Sequence, residues 1–282
     1  MEVLRSVKEM QQRADALRRE GKSICFVPTM GYFHEGHLEL MRVGKRYGDV
    51  LVISIFVNPL QFGPREDFRE YPRDTEGDLR KAQEVGVDIV FMPDAEEMYP
   101  EGFQTKVIVE RLKEHLCGLS RPGHFEGVAT VVAKLFNIVK PHVAIFGEKD
   151  YQQLLIIKRM VKDLNMDIDI VGVPTVREED GLAMSSRNTY LSEEERKSAL
   201  SLKRSLDLAS RLLSEGERDA ARIRQEMERL INSFPYTDID YISICDPETL
   251  DELKYIKDRA LVALAVRVGK ARLIDNMIID TK

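Results

Sequence analysis

Residues 24–37 read ICFVPTMGYFHEGH, and this stretch decides the fold. Four apolar residues at 24–27 form a short strand with no polar face, as expected for a strand covered on both sides. The strand runs into a Pro28-Thr29-Met30-Gly31 turn, and a helix follows over 37–47 with Leu38 and Met41 on one face. Residues 50–57, VLVISIFV, repeat the buried-strand pattern. Outward from there the alternation continues: helix 74–85, strand 87–92, strand 106–109, loop 111–124, helix 128–139, strand 142–146, helix 151–165 and strand 168–173. Ahead of it, Val3, Val7, Met10, Ala14 and Leu17 lie on one helical stripe closed by Gly21. Strands separated by helices imply βαβ units, hence a parallel sheet.

The pattern changes after Pro174. Ser192 is a helix N-cap with Glu195 three positions on, a second helix covers about 218–233, and strand-like runs follow at 239–245, 260–268 and 272–279. The expected organisation is therefore an α/β domain with a parallel sheet over 1–176 and a smaller α+β domain over 177–282. The 282 residues carry 42 basic and 48 acidic side chains, a net charge of −6, with each part at −3. Hydrophobic residues make up 43% and charged residues 32%, which excludes a disordered chain. The even, slightly acidic balance argues against nucleic acid as a partner. No apolar run reaches about 18 residues, so no membrane span is expected. Cys25, Cys117 and Cys245 are odd in number and far apart, which points to a reducing compartment. The charged N-terminus has no signal-peptide core, and cytoplasm is the expected location.

Four segments carry candidate chemistry, and each lies at or just past the end of a strand in the sheet. The first, PTMGYFHEGH (28–37), opens a helix, whose unpaired N–H groups attract phosphate. His34 and His37 add donors, and Gly31 and Gly36 permit close backbone approach. Gly31 and Gly36 have the spacing of a P-loop, but His37 and Leu38 occupy its Lys and Ser/Thr slots. A helical zinc site needs histidines four apart, and these are three apart. Two histidines satisfied by backbone at a helix cap remain an alternative. The second segment, Met184-Ser185-Ser186-Arg187-Asn188, offers two hydroxyls and a guanidinium to phosphate oxygens. The third, GEKDYQQ (147–153), places Lys149 at a strand end. The fourth, NPLQFG (58–63), offers the planar amide of Gln61 to an acid bearing hydroxyls. Cys25, in an apolar strand, reads as core rather than nucleophile.

Together these residues resemble a known family. HEGH resembles the HxGH motif of the nucleotidyltransferases that include class I aminoacyl-tRNA synthetases, and MSSRN resembles their second, phosphate-gripping loop. PTMG-x-x-HEGH, FVNPLQFG, GEKDYQQL, DGLAMSSRN and the terminal RLIDN resemble, in order, the pantothenate synthetase (pantoate–β-alanine ligase) family. The resemblance implies ATP-dependent joining of pantoate to β-alanine through pantoyl adenylate, in a homodimer with a Rossmann-like N-terminal domain and a small C-terminal lid. It implies catalytic roles for His37, His34, Lys149, Ser185, Ser186 and Arg187. ATP contacts are implied for Met30, Gly31, His34, His37, Gly147, Lys149, Asp150, Val176 and Met184 through Arg187. Pantoate contacts are implied for Thr29, Met30, Gln61 and Gln153. ATP is expected with Mg²⁺. The acidic stretch that in some relatives helps hold the metal reads Thr75-Glu76-Gly77-Asp78 here, so no protein ligand to the metal is assigned.

Overall fold

The computed structural model describes residues 1–64 and 66–281. In chain order the elements are β1 (Glu2–Leu4), α1 (Val7–Arg19), β2 (Ile24–Thr29), α2 (Glu35–Gly44), β3 (Val50–Ile55), α3 (Thr75–Val85), β4 (Ile89–Phe91), α4 (Ala95–Met98), α5 (Cys117–Ser120), α6 (His124–Val139), β5 (Val143–Gly147), α7 (Tyr151–Asp163), β6 (Asp169–Val173), α8 (Glu193–Ser214), α9 (Ala220–Asn232), β7 (Thr237–Cys245), β8 (Arg259–Val268) and β9 (Ala271–Asp280).

The chain divides into two compact units. Unit 1 holds residues 1–113, 121–148 and 153–174. Its sheet runs β1-β4-β3-β2-β5-β6, and every pair is parallel. From β2 the chain builds outward to β3 and β4, then returns to place β5 on the other side of β2. That reversal makes a switch point at the carboxyl ends of β2 and β5, where open α/β sheets bind ligands. Alternation divides β2 between two cores. Cys25 and Val27 pack with Met41 of α2, Ala82 of α3 and Ile53 of β3. Phe26, on the opposite face, meets Phe136 of α6 edge-on at 6.4 Å. Burying each such side chain contributes about 1.5–3 kcal/mol.

Unit 2 holds 114–120, 149–152 and the chain from Thr175 onward. Its sheet is the antiparallel β7-β8-β9. Leu206 of α8 and Ile223 and Met227 of α9 pack with Val262, Leu264 and Val266 of β8. The capping box of Ser192 and Glu195 starts α8 as the sequence implies. Sequence reading groups 114–120 and 149–152 with the first part. Here the buried Gln152 side chain accepts from Cys117 N–H (3.0 Å) and donates to the His115 carbonyl (2.7 Å), and Asn276 of β9 donates to the Lys149 carbonyl (2.8 Å).

Several local expectations are corrected. Val3 is not on the helical stripe. It lies in β1 opposite Val90, 40% exposed, because Ser6 caps α1 and the residues before it pair with β4. Residues 106–109 form no strand, and the expected loop at 111–124 contains a short 3₁₀ turn (Arg111–Glu114) and α5. β2 continues through Pro28 to Thr29, and α2 begins at Glu35 and ends at Gly44. Among the described residues no helix is long and apolar enough to cross a membrane.

Candidate active site

In unit 1 the site starts where β2 ends. The Thr29 hydroxyl donates to the Ser54 carbonyl of β3 (2.6 Å) and accepts from Gly31 N–H (3.2 Å). Gly31 (φ +84°) and Tyr32 (φ +55°) then reverse the chain in left-handed conformations. A Cβ at Gly31 would lie 2.9 Å from Asp78 Oδ2 and 3.0 Å from Ile55 Cγ2, so Gly31 is required by the protein's own packing.

Asp78 of α3, 1% exposed, accepts the N–H groups of Tyr32 and Phe33, each at 2.7 Å. One turn on, Lys81 donates to the Phe33 carbonyl (2.6 Å). Helix α3 thus grips the entrance to α2 by both backbone polarities. Burial raises the Asp78 carboxyl above its ordinary value, against the opposing effect of the two N–H donors and Lys81.

His34 is the N-cap of α2. Its N–H donates to His37 Nδ1 (3.3 Å), and the two rings lie 4.1 Å apart. Because Nδ1 accepts, the neutral His37 ring carries its proton on Nε2. The cap geometry and a donor role are therefore compatible, since one ring nitrogen serves each.

Gln61 is 9% exposed. Its Oε1 accepts from Asn58 Nδ2 (3.0 Å), and its Nε2 lies 3.2 Å from the Met30 sulfur. Asn58, 1% exposed, also donates to the Gly127 carbonyl (3.0 Å) and accepts from Leu60 N–H (3.2 Å) and the Tyr99 hydroxyl (2.8 Å). Burial pushes the Tyr99 phenol well up, so it remains a donor. The Gln61 main-chain carbonyl accepts from His124 Nδ1 (2.8 Å), and Arg121 meets His124 Nε2 (3.1 Å). Since a carbonyl only accepts and a guanidinium only donates, His124 is the neutral Nδ1–H tautomer. Arg121 forms a two-pronged pair with Glu66 (2.7 and 2.6 Å). Burial opposes the Glu66 charge, but the hydrogen bonds and charge of Arg121 outweigh it and lower the Glu66 pKa. Gly147 ends β5 with open space where a Cβ would be, and Gln153 is half-buried in the first turn of α7.

In unit 2, Val176 and Met184 are joined by a backbone hydrogen bond (Met184 N–H to Val176 carbonyl, 3.0 Å) that closes a hairpin with Gly181 (φ +93°) in its turn. The MSSRN segment leaves this hairpin directly. Ser185 caps a 3₁₀ turn by accepting from Arg187 N–H (3.3 Å), and Ser186 is buried. Asn188 holds the segment down by donating to Glu178 (2.7 Å) and the Ala183 carbonyl (3.1 Å). Lys149 follows β5, its ammonium 3.9 Å from Asp150.

Thr29, Met30, Gly31, His34, His37 and Gln61 are thus brought together in unit 1, and Val176 and Met184–Arg187 in unit 2. Lys81, Tyr99 and the Arg121–Glu66–His124 group are not singled out by the sequence, and Asp78 and Asn58 appear there only within quoted stretches, without a role. The acid and base at 78 and 81, one turn apart on α3, are the available signal. Cys25 and Cys245 are free and buried, burial pushing each thiol up to about 12, so neither is a nucleophile at neutral pH. Among the described residues no group of three or more His, Cys, Asp or Glu could hold a metal ion.

The Pantoate-beta-alanine ligase family model matches residues 2–278. The chain belongs to the pantoate–β-alanine ligase family. It is an enzyme that uses ATP to join pantoate to β-alanine. A pantothenate synthetase of Syntrophus aciditrophicus is 59% identical over 276 residues, covering 98% of this chain and 96% of that protein. A crystal structure of the Thermus thermophilus pantothenate synthetase is 50% identical with a TM-score of 0.93, covering 98% of this chain and 99% of that one. A pantoate–β-alanine ligase from Francisella tularensis, solved with beta-gamma ATP and β-alanine, is 33% identical with a TM-score of 0.82, covering 99% and 97% of the two chains.

Proposed function

We propose that the ligation runs through pantoyl adenylate. A pantoate carboxylate oxygen attacks the α-phosphorus of ATP. A P–O bond forms, the bond to the bridging oxygen of the β-phosphate breaks, and pyrophosphate leaves. The β-alanine amine then attacks the acyl carbon. A C–N bond forms, the C–O bond breaks, AMP leaves with the oxygen that came from pantoate, and the nitrogen releases its proton.

Charge develops on the α-phosphate oxygens and on pyrophosphate. His34, His37, Lys149, Ser185, Ser186 and Arg187 are the donors assigned to it, and loss of one such donor costs on the order of 3 kcal/mol of barrier. Met30, Gly31, Gly147, Asp150, Val176 and Met184 are assigned to ATP. Thr29, Met30, Gln61 and Gln153 are assigned to pantoate. Mg²⁺ enters as the complex of ATP. The adenylate is labile to water, and residues 177–282 are assigned the lid that protects it.

The supporting observation is the Gln61 site. A neutral amide oriented by Asn58 stands beside Met30 of the HxGH turn, and the cation beside it, Arg121, is neutralised by Glu66. Such a site suits a hydroxylated acid whose carboxylate must stay nucleophilic. A nucleotidyltransferase acting on a phosphate-bearing acceptor would need an unneutralised cation there. Pantoate labelled with ¹⁸O in its carboxylate tests the route: AMP gains one labelled oxygen, whereas unlabelled AMP contradicts it.

We further assign the enzyme to the cytoplasm, as a homodimer. Three free, buried cysteines support the reducing compartment. For the dimer the support is the segment 104–110, QTKVIVE. Among the described residues, 104–109 take part in no backbone–backbone hydrogen bond, and Ile108 is 43% exposed. Antiparallel pairing with a second copy about Ile108 would oppose Lys106 to Glu110, a self-complementary register. Light scattering is expected to give the mass of two chains, and of one chain for Ile108→Glu. An Ile108→Glu protein that stays dimeric contradicts this surface.

A further inference from the structure

The terminal RLIDN motif (272–276) is given no role in the scheme above, yet its last two residues hold two segments that are assigned to ATP. Asp275 lies in the middle of β9, on the face that carries Ala271, Leu273 and Ile279 into the core of unit 2. A carboxylate there, 3% exposed, must be paired to be tolerated. Its partner is Arg177, which donates NH1 to Oδ2 (2.6 Å) and NH2 to Oδ1 (2.9 Å). Arg177 NH1 also donates to the Gly181 carbonyl (3.1 Å), and Arg177 pairs with Ala183 across the hairpin. The Asp275 carboxylate therefore holds the base and turn of the hairpin from which Met184–Arg187 emerges.

Asn276 is next along the strand, so its side chain points to the opposite face. Its N–H donates to Asp275 Oδ1 (2.8 Å), and its side-chain amide donates to the Lys149 carbonyl (2.8 Å). β9 is in unbroken antiparallel register with β8 from Ala271 to Asp280. One stiff strand thus anchors the Lys149 main chain on one side and the Met184–Arg187 hairpin on the other.

We propose that Asp275 and Asn276 are positioning residues for the adenylation step: they set the spacing between Lys149 and the Ser185–Arg187 loop, and with it the fit of both to the phosphates of ATP. This rests on the assignment of Lys149 and Ser185–Arg187 to ATP. Donors placed about 1 Å out of position cost on the order of 100-fold in rate, without any loss of fold.

Pantoate-dependent exchange of labelled pyrophosphate into ATP tests it, with rates expressed per folded enzyme and Tm recorded. Asp275→Asn keeps the shape but turns one acceptor into a donor facing Arg177. Asn276→Ala removes the half-buried hydrogen bond to the Lys149 carbonyl and remains decisive if Asp275→Asn fails to fold. Both variants are expected to lose at least about tenfold in exchange rate and to raise the KM for ATP, with the KM for pantoate unchanged. A purely structural role would lower Tm and leave both constants of the folded fraction unchanged, and that result overturns the proposal. Lys149→Ala and Arg187→Ala serve as controls. If they leave exchange intact, the ATP assignment itself fails. If they abolish exchange while Asn276→Ala is within twofold of the parent protein, the positioning proposal alone fails.

Discussion

Asp78 Oδ1 accepts the backbone N–H of Phe33 at 2.7 Å, across 45 residues of sequence, and so the entrance to the HxGH helix is held from a neighbouring helix. With Oδ2 on Tyr32 N–H, one carboxylate fixes two consecutive peptide groups just before His34. Asp78→Ala leaves both groups buried without a partner, at about 1–3 kcal/mol each. Asp78→Asn keeps one acceptor. The expected order of both Tm and kcat is parent, then Asn, then Ala. Gly31→Ala should resemble Asp78→Ala, since its methyl group would press on Asp78 in a left-handed backbone costing about 1–2 kcal/mol.

The ring nitrogens of His37 have separate tasks in the proposed scheme, and two amides separate them. Asn places its carboxamide near the position of Nδ1, and Gln reaches toward that of Nε2. If Nε2–H donates to developing phosphate charge, His37→Ala loses on the order of 100–1,000-fold in pyrophosphate exchange while remaining folded. His37→Gln is then expected to retain more exchange than His37→Asn. The reverse order would assign the rate effect to the cap.

In the proposed scheme Gln61 offers the acid a neutral amide. A guanidinium in its place would pair with the pantoate carboxylate and lower its nucleophilicity, as well as depriving Asn58 of an acceptor. Gln61→Arg is therefore expected to bind pantoate in equilibrium measurements yet form adenylate slowly. An equally fast Gln61→Arg enzyme would contradict the role given to the neutral amide.

His142 links acidity to stability. Its Nδ1 accepts the Ile24 N–H (2.9 Å) at the start of β2. Burial, and secondarily the Arg18 charge, lower its pKa below the ordinary 6.5. A lowered folded-state value means that the unfolded chain takes up the proton first. The stability from this contact is present above pH 6.5 and is lost as pH falls through the folded-state value. His142→Asn can keep an acceptor but does not titrate. Its Tm should fall less than that of the parent between about pH 7.5 and about pH 5.5.

The parts of the fold readable in sequence are those written in local pattern. The apolar run at 50–57, the strand–turn–helix at 24–37 and the capping box at 192–195 each contain their own evidence. β1 escapes because three residues at a sheet edge carry no period, and Val3 continues by chance the helical stripe of α1. Asp78 and Asp275 lie in stretches that the resemblance draws on, but their contacts escape for a different reason. Each acts on backbone or side chain 45 to 98 residues away, and nothing in the local spacing marks such a contact. The adjacent glutamines illustrate the limit: Gln152 is buried in hydrogen bonds to 115 and 117, and only the fold distinguishes it from Gln153.

In the proposed scheme adenylation of pantoate comes before β-alanine takes part, and every role assigned to the phosphate donors depends on that order. Exchange of labelled pyrophosphate into ATP, measured without β-alanine and with or without pantoate, tests this most directly. Exchange that depends on pantoate and needs no β-alanine is the expected result. Exchange in the absence of pantoate, or ADP in place of AMP in the complete reaction, would contradict it.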